Sequence, residues 1–146
     1  MYKHRANMNV NFKTLTGHSD IVFSVSTFTD AKTDIVFIVS GSMDRTIKVW
    51  DTSDFTCIKT LTGHSEYVGS VSTFTDAKTD KVYIVSGSWD ETIKVWDVSD
   101  FICVKTLTGH TAAVKSVCTF TDTKTDKVYI VSGSWDKTIR LWPAES

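Results

Sequence analysis

The chain has 146 residues, of which 41% are hydrophobic and 23% charged, and its formal net charge is −1. This is the composition of a globular chain with enough apolar residues for a core, and a charge so near zero offers no field to gather nucleic acid or an anionic membrane surface. Cys57, Cys103 and Cys118 form an odd set without C-x-x-C spacing, which argues against a disulfide framework or a zinc site. No metal or other cofactor is expected.

The first residues, Met1-Tyr2-Lys3-His4-Arg5, run into polar, Asn-rich sequence instead of the apolar stretch of a secretory leader. No apolar run approaches the roughly 20 residues that cross a bilayer. Residues 1–9 are expected to be an N-terminal tail, and the protein to be intracellular, in the cytoplasm or nucleus. From residue 10 onward the chain repeats itself. Gly17-His18 returns as Gly63-His64 and as Gly109-His110, 46 residues apart each time. The copies divide near 11–56, 57–102 and 103–146. A fixed period of this length marks stacked supersecondary units, none of which can bury its apolar face alone.

Each copy contains four β-like runs; in the second they are Cys57 to Leu61, Tyr67 to Phe74, Val82 to Val85 and Thr92 to Trp96. Turn signals separate them: Gly63-His64, the polar stretch from Thr75 to Asp80, Ser86-Gly87-Ser88-Trp89-Asp90, and Val98-Ser99-Asp100. Val82-Tyr83-Ile84-Val85 is continuously apolar, as in a strand covered on both faces. Val68 and Val71 lie three apart and break strict alternation, which points to a β-bulge that re-aims side chains there.

Four short strands in each unit of this size, opened by Gly-His and closed by Trp-Asp at 50–51 and 96–97, resemble the WD-repeat β-propellers. The resemblance runs from Asn11 to Trp142 and includes S-G-S-x-D in all three copies. The expected fold is all-β: three four-stranded antiparallel blades per chain, their ring completed by homo-oligomerisation. Two departures stand out. Pro143 replaces the last Asp and is expected to stop strand pairing there, and the connections after Phe28, Phe74 and Phe120 are long enough to form charged hairpin loops.

Each copy also holds His, Ser and Asp: His18, Ser40 and Asp44; His64, Ser86 and Asp90; His110, Ser132 and Asp136. The trio invites a hydrolase reading. The resemblance implies instead a structural network completed by Trp50, Trp96 and Trp142, and an active site is not normally built three times. No catalytic residue is therefore assigned. The T-D-A-K-T-D loop lacks the D-x-D-x-D-G spacing of a calcium site and carries a Lys between its carboxylates.

Differences between copies gather at four offsets. Three residues after the histidine stand Ile21, Tyr67 and Ala113, and five after it Phe23, Gly69 and Lys115. Just before the turn Asp stand Met43, Trp89 and Trp135, and just after it Arg45, Glu91 and Lys137. In the family these offsets fall on the narrow top face, so the resemblance implies partner contacts by Ile21, Phe23, Met43, Arg45, Tyr67, Trp89, Glu91, Lys115, Trp135 and Lys137. Their aromatic and Met-rich character suits interaction hot spots. The expected function is a non-enzymatic scaffold for protein or peptide partners. Two alternatives stand beside it: an aromatic cage for a methylated lysine or another cation, flanked by Asp20, Glu66 and Glu91, and a recently amplified or engineered fragment without a dedicated partner.

Propellers generally need about four to eight blades, and three copies are too few. The resemblance implies that each repeat begins with the outer strand of one blade and continues with the inner strands of the next. The chain then opens on a spare outer strand, 11–15, and closes on an unpartnered edge, Thr138 to Trp142. Head-to-tail association with itself is expected, as a homodimer of six blades or a homotrimer of nine; the competing reading is that the chain is a piece of a longer propeller and aggregates alone.

Overall fold

The chain folds where its turn chemistry cuts it. In the turn Ser42-Met43-Asp44-Arg45-Thr46 the Ser42 hydroxyl accepts the Asp44 N–H at 3.0 Å, and Asp44 Oδ1 accepts from the Thr46 amide at 2.9 Å and its hydroxyl at 2.6 Å. The turn satisfies itself, which is why S-x-D-x-T is a fixed reversal between two strands. Arg45, Glu91 and Lys137 occupy the left-handed position of the three turns, with φ of 73°, 74° and 72°. At the opposite end of the strands the Asp30 carboxylate accepts from the Lys32 amide and the Thr33 hydroxyl, at 3.2 and 2.8 Å, and binds the T-D-A-K-T-D loop to itself.

The computed structural model describes residues 12–145. Its strands, in chain order, are β1 (Val22–Thr29), β2 (Val36–Ser42), β3 (Ile47–Asp51), β4 (Thr56–Leu61), β5 (Val68–Thr75), β6 (Val82–Ser88), β7 (Ile93–Asp97), β8 (Ile102–Leu107), β9 (Val114–Thr121), β10 (Val128–Ser134) and β11 (Ile139–Pro143). They form three antiparallel sheets ordered β1-β2-β3-β4, β5-β6-β7-β8 and β9-β10-β11. The all-β blade architecture is the expected one. The third sheet has three strands, because no segment among the described residues lies beside the outer edge of β11. The expected tail, residues 1–9, and the start of the spare strand at Asn11 lie outside the described residues; 12–15 carry no strand.

Successive blades pack face to face through their innermost strands, β1 on β5 and β5 on β9. Val68 and Val71 of β5 enter a core with Val39, Ile47, Val49 and Leu61 of the first blade, and Val114 and Val117 of β9 enter one with Val85, Ile93 and Val95 of the second. Side chains alternate across a strand, so Ile84 joins the first core and its neighbour Val85 the second, each fully buried. The continuous apolar run in β6 thus has a blade on either side.

The bulge occurs in all three copies. Val22 pairs with Ser42 and Ser24 with Gly41; Val68 pairs with Ser88 and Ser70 with Gly87; Val114 pairs with Ser134 and Ser116 with Gly133. The residues passed over are Phe23, Gly69 and Lys115. Pro143 corrects one expectation: it pairs with Tyr129 as Asp97 does with Tyr83, and β11 ends where β3 and β7 end. Proline is tolerated because β11 is an edge strand.

Candidate functional site

His18 Nδ1 lies 2.8 Å from Asp44 Oδ2 and its Nε2 2.6 Å from Ser40 Oγ, which also accepts the Trp50 indole N–H at 2.9 Å. His64, Asp90, Ser86 and Trp96 repeat this at 2.8, 2.7 and 3.0 Å, and His110, Asp136, Ser132 and Trp142 at 2.6, 2.7 and 2.8 Å. A carboxylate only accepts and an indole only donates, so every partner is satisfied when the histidine proton is on Nδ1 and the serine hydroxyl points to Nε2. This is triad order. The serines are nevertheless 4%, 0% and 0% exposed, and each takes an indole proton on the oxygen that an attack would use. Burial works against ionisation of Asp44, but hydrogen bonds from Thr46, His18 and Ser19 outweigh it and hold the carboxyl well below the usual carboxylate range. Asp90 is held down in the same way, and for Asp136 the Thr138 hydroxyl is the largest cause.

Above these networks, at the end of the blades that carries the S-x-D-x-T turns, one aromatic cluster crosses all three blades. Trp89 is its hub. Its ring stacks on Phe23 at 6.0 Å and 17°, meets Tyr67 at 4.7 Å and meets Trp135 at 4.9 Å. Lys115 Nζ lies 4.1 Å from the Trp89 ring centroid and 4.4 Å from that of Trp135, a cation over two aromatic faces. Burial there pushes the Lys115 ammonium below the usual lysine range. The bulge is what aims these groups: Phe23 and Lys115 are two of the residues passed over in pairing, and the third is Gly69. A Cβ on Gly69 would come within 3.2 Å of Trp89 Nε1, so the missing side chain makes room for the indole.

The other residues expected on this face surround the cluster without joining its ring contacts. Met43, Trp89 and Trp135 each donate a backbone N–H to the residue three after the histidine, Ile21, Tyr67 and Ala113, at 2.8, 2.9 and 3.0 Å, which is why those two offsets lie side by side. Ile21 is exposed and Met43 half-buried. Arg45 reaches Glu66 across the first two blades at 3.9 Å, in an exposed pair worth little. Glu91 is half-buried and Lys137 exposed. The Trp89 indole N–H is buried and has no acceptor among the described residues.

The repeat signature recognised as WD domain, G-beta repeat, matches the chain three times, over 9–51, 55–97 and 101–143. The chain belongs to the WD-repeat family. Among curated proteins none matches it. WD-repeat domains generally act as non-enzymatic scaffolds that contact other proteins.

Within this WD-repeat chain, sequence reasoning found the varying residues but not their interdependence. Phe23, Gly69 and Lys115 vary at one offset and Met43, Trp89 and Trp135 at another, yet in the fold Gly69 lies against the Trp89 indole, Phe23 stacks on it and Lys115 sits over it. A glycine among bulky residues at a shared offset was the available signal. Of the three acidic residues weighed for a cation cage, Asp20 Oδ1 accepts the Ile21 N–H at 2.8 Å, Glu66 faces Arg45 at 3.9 Å, and Glu91 is half-buried in the turn after Trp89.

Proposed function

We propose that the chain is a non-enzymatic scaffold that binds a protein or peptide through its aromatic face and works as a ring of several identical chains. The contiguous cluster Phe23–Tyr67–Trp89–Trp135, wedged by Lys115, carries this reading. Large flat rings held rigid by one another contact a partner at little conformational cost, as hot-spot residues do. An intracellular setting, cytoplasmic or nuclear, belongs to the proposal, and the three unpaired thiols suit a reducing compartment.

Trp135 gives the cleaner test because it is 58% exposed, whereas Trp89 is half-buried among four neighbours. Proteins retained on the immobilised parent chain are expected to be lost from Trp135→Ala, with the circular dichroism and melting of the variant unchanged. Equal retention by both would overturn the reading. A cation cage ranks second: the Trp89–Trp135 cleft does hold an ammonium, but it is the chain's own, and a methylated lysine must displace a tethered competitor.

A further inference from the structure

The two junctions inside the chain are the same junction, shifted by one repeat. In the first, Val68 and Val71 of the second blade sit over Gly41, where a Cβ would meet their Cγ1 atoms at 2.8 and 3.1 Å. Ser24 Oγ accepts the Val71 N–H at 3.0 Å, and Thr73 Oγ1 donates to the Thr27 carbonyl at 2.9 Å. In the second, Val114 and Val117 sit over Gly87 at 2.8 and 2.9 Å, Ser70 Oγ accepts the Val117 N–H at 3.0 Å, and Thr119 Oγ1 donates to the Thr73 carbonyl at 3.3 Å. The glycine is a slot, and the two valines of the next blade fill it.

A third slot and a third pair of valines are both present and both unused. Among the described residues nothing lies within 4 Å of a Cβ built on Gly133. Beside it Ile139 and Leu141 are 78% and 57% exposed, although their counterparts Ile93 and Val95 are 0% and 2% exposed. At the other end of the arc Val22 and Val25 are 47% and 67% exposed, against 0% and 5% for Val68 and Val71. The slot and the plug are on opposite ends of one molecule and cannot meet within an arc of three blades.

We propose that β1 of a second copy docks on the third blade of the first, with Val22 and Val25 over Gly133 and against Ile139 and Leu141. The inference deepens the ring assembly proposed above by fixing its register. Ser116 Oγ then accepts the Val25 N–H of the second copy, and Thr27 Oγ1 of that copy donates to the Thr119 carbonyl. The open edge of β11 is filled by the same event. In the first two blades the outer strand pairs Leu61 with Ile47 and Thr60 with Lys48, or Leu107 with Ile93 and Thr106 with Lys94. Leu15 and Thr14 are the residues one repeat earlier than Leu61 and Thr60, and they lead through Gly17-His18 directly into β1. A copy that inserts its valines thus brings Leu15 opposite Ile139 and Thr14 opposite Arg140. A second copy is the favoured occupant because every group that the slot lacks is one that the chain carries, in the order in which the internal junctions use it. Two copies close a ring of six blades, inside the usual range of about four to eight.

Gly133→Val tests the slot without threatening the fold, because the added side chain meets none of the described residues of its own chain and a β-branched residue suits a strand. The parent is expected to run in light scattering at a whole multiple of the 16.3 kDa chain, and the variant at the mass of one chain with the same circular dichroism. Register is read separately, by pairing Thr14→Cys with Arg140→Cys, which that register sets opposite one another on the outer strands and away from the slot, as Thr60 is opposite Lys48 in the first blade, in a background where Cys57, Cys103 and Cys118 are Ser. Oxidation is expected to link copies covalently, and either cysteine alone to link none. A parent that is monomeric would overturn both the ring and its register. A parent that is oligomeric but neither dissociated by Gly133→Val nor linked through the cysteine pair would overturn the register alone. Neither result bears on the aromatic face, which the Trp135 comparison reads.

Discussion

At Ser86 one hydroxyl serves two buried partners, accepting from Trp96 and facing His64 Nε2. Ser86→Ala leaves both groups without a partner where water cannot replace it, at a cost of about 1–3 kcal/mol for each. The expected outcome is a large fall in the urea midpoint of unfolding, with the native spectrum kept in water; an unchanged midpoint would mean that the network contributes nothing. The residues that resemble a hydrolase triad are thus bound to one another and buried, each serine oxygen already taking an indole proton. Trp89 is the opposite case: its buried N–H has no acceptor among the described residues and its ring is spent on neighbours from three blades, so it holds the aromatic face together more than it holds any one sheet.

The blade owes its shape to a few departures from regular alternation. The bulge at the start of β1, β5 and β9 drops one residue from the ladder, and that residue, Phe23, Gly69 or Lys115, is the one free to differ. The glycine of β2 and of β6 has the opposite constraint, since its missing side chain is where the next blade's valines lie. Gly87→Val would force a side chain into Val114 and Val117. Overpacking of this kind typically costs about 1–3 kcal/mol. A lower melting temperature is expected for Gly87→Val and none for Gly133→Val when both are compared as single chains. The same substitution at the same offset then reads out which slots are filled within the molecule.

An arc of three blades leaves one apolar face uncovered at each end, and repeat arrays draw their stability from contacts between neighbours. If copies cover those faces for one another, folding and association share free energy, and the melting temperature must rise with protein concentration by mass action. A rise over a hundredfold dilution series is the expected result, abolished by Gly133→Val; a melting temperature independent of concentration would contradict assembly.

Strands, turns and bulges were legible in the sequence because each depends on residues a few positions apart: alternation in the ladder, self-bonding Asp and Ser in the turns, the skipped alternation between Val68 and Val71. The identity of the varying positions was legible for the same reason, since copies of one unit can be laid over one another. That His, Ser, Asp and Trp form a closed network could be expected only from resemblance, because His64 and Asp90 stand 26 residues apart and meet only when the sheet brings them to 2.8 Å. Side-chain packing across blades was not legible at all. That Gly69 makes room for Trp89, that Lys115 fills the cleft between two tryptophans, and that Gly133 is open where Gly41 and Gly87 are closed are facts of surfaces brought together by stacking, and a one-dimensional pattern carries no distance between such surfaces.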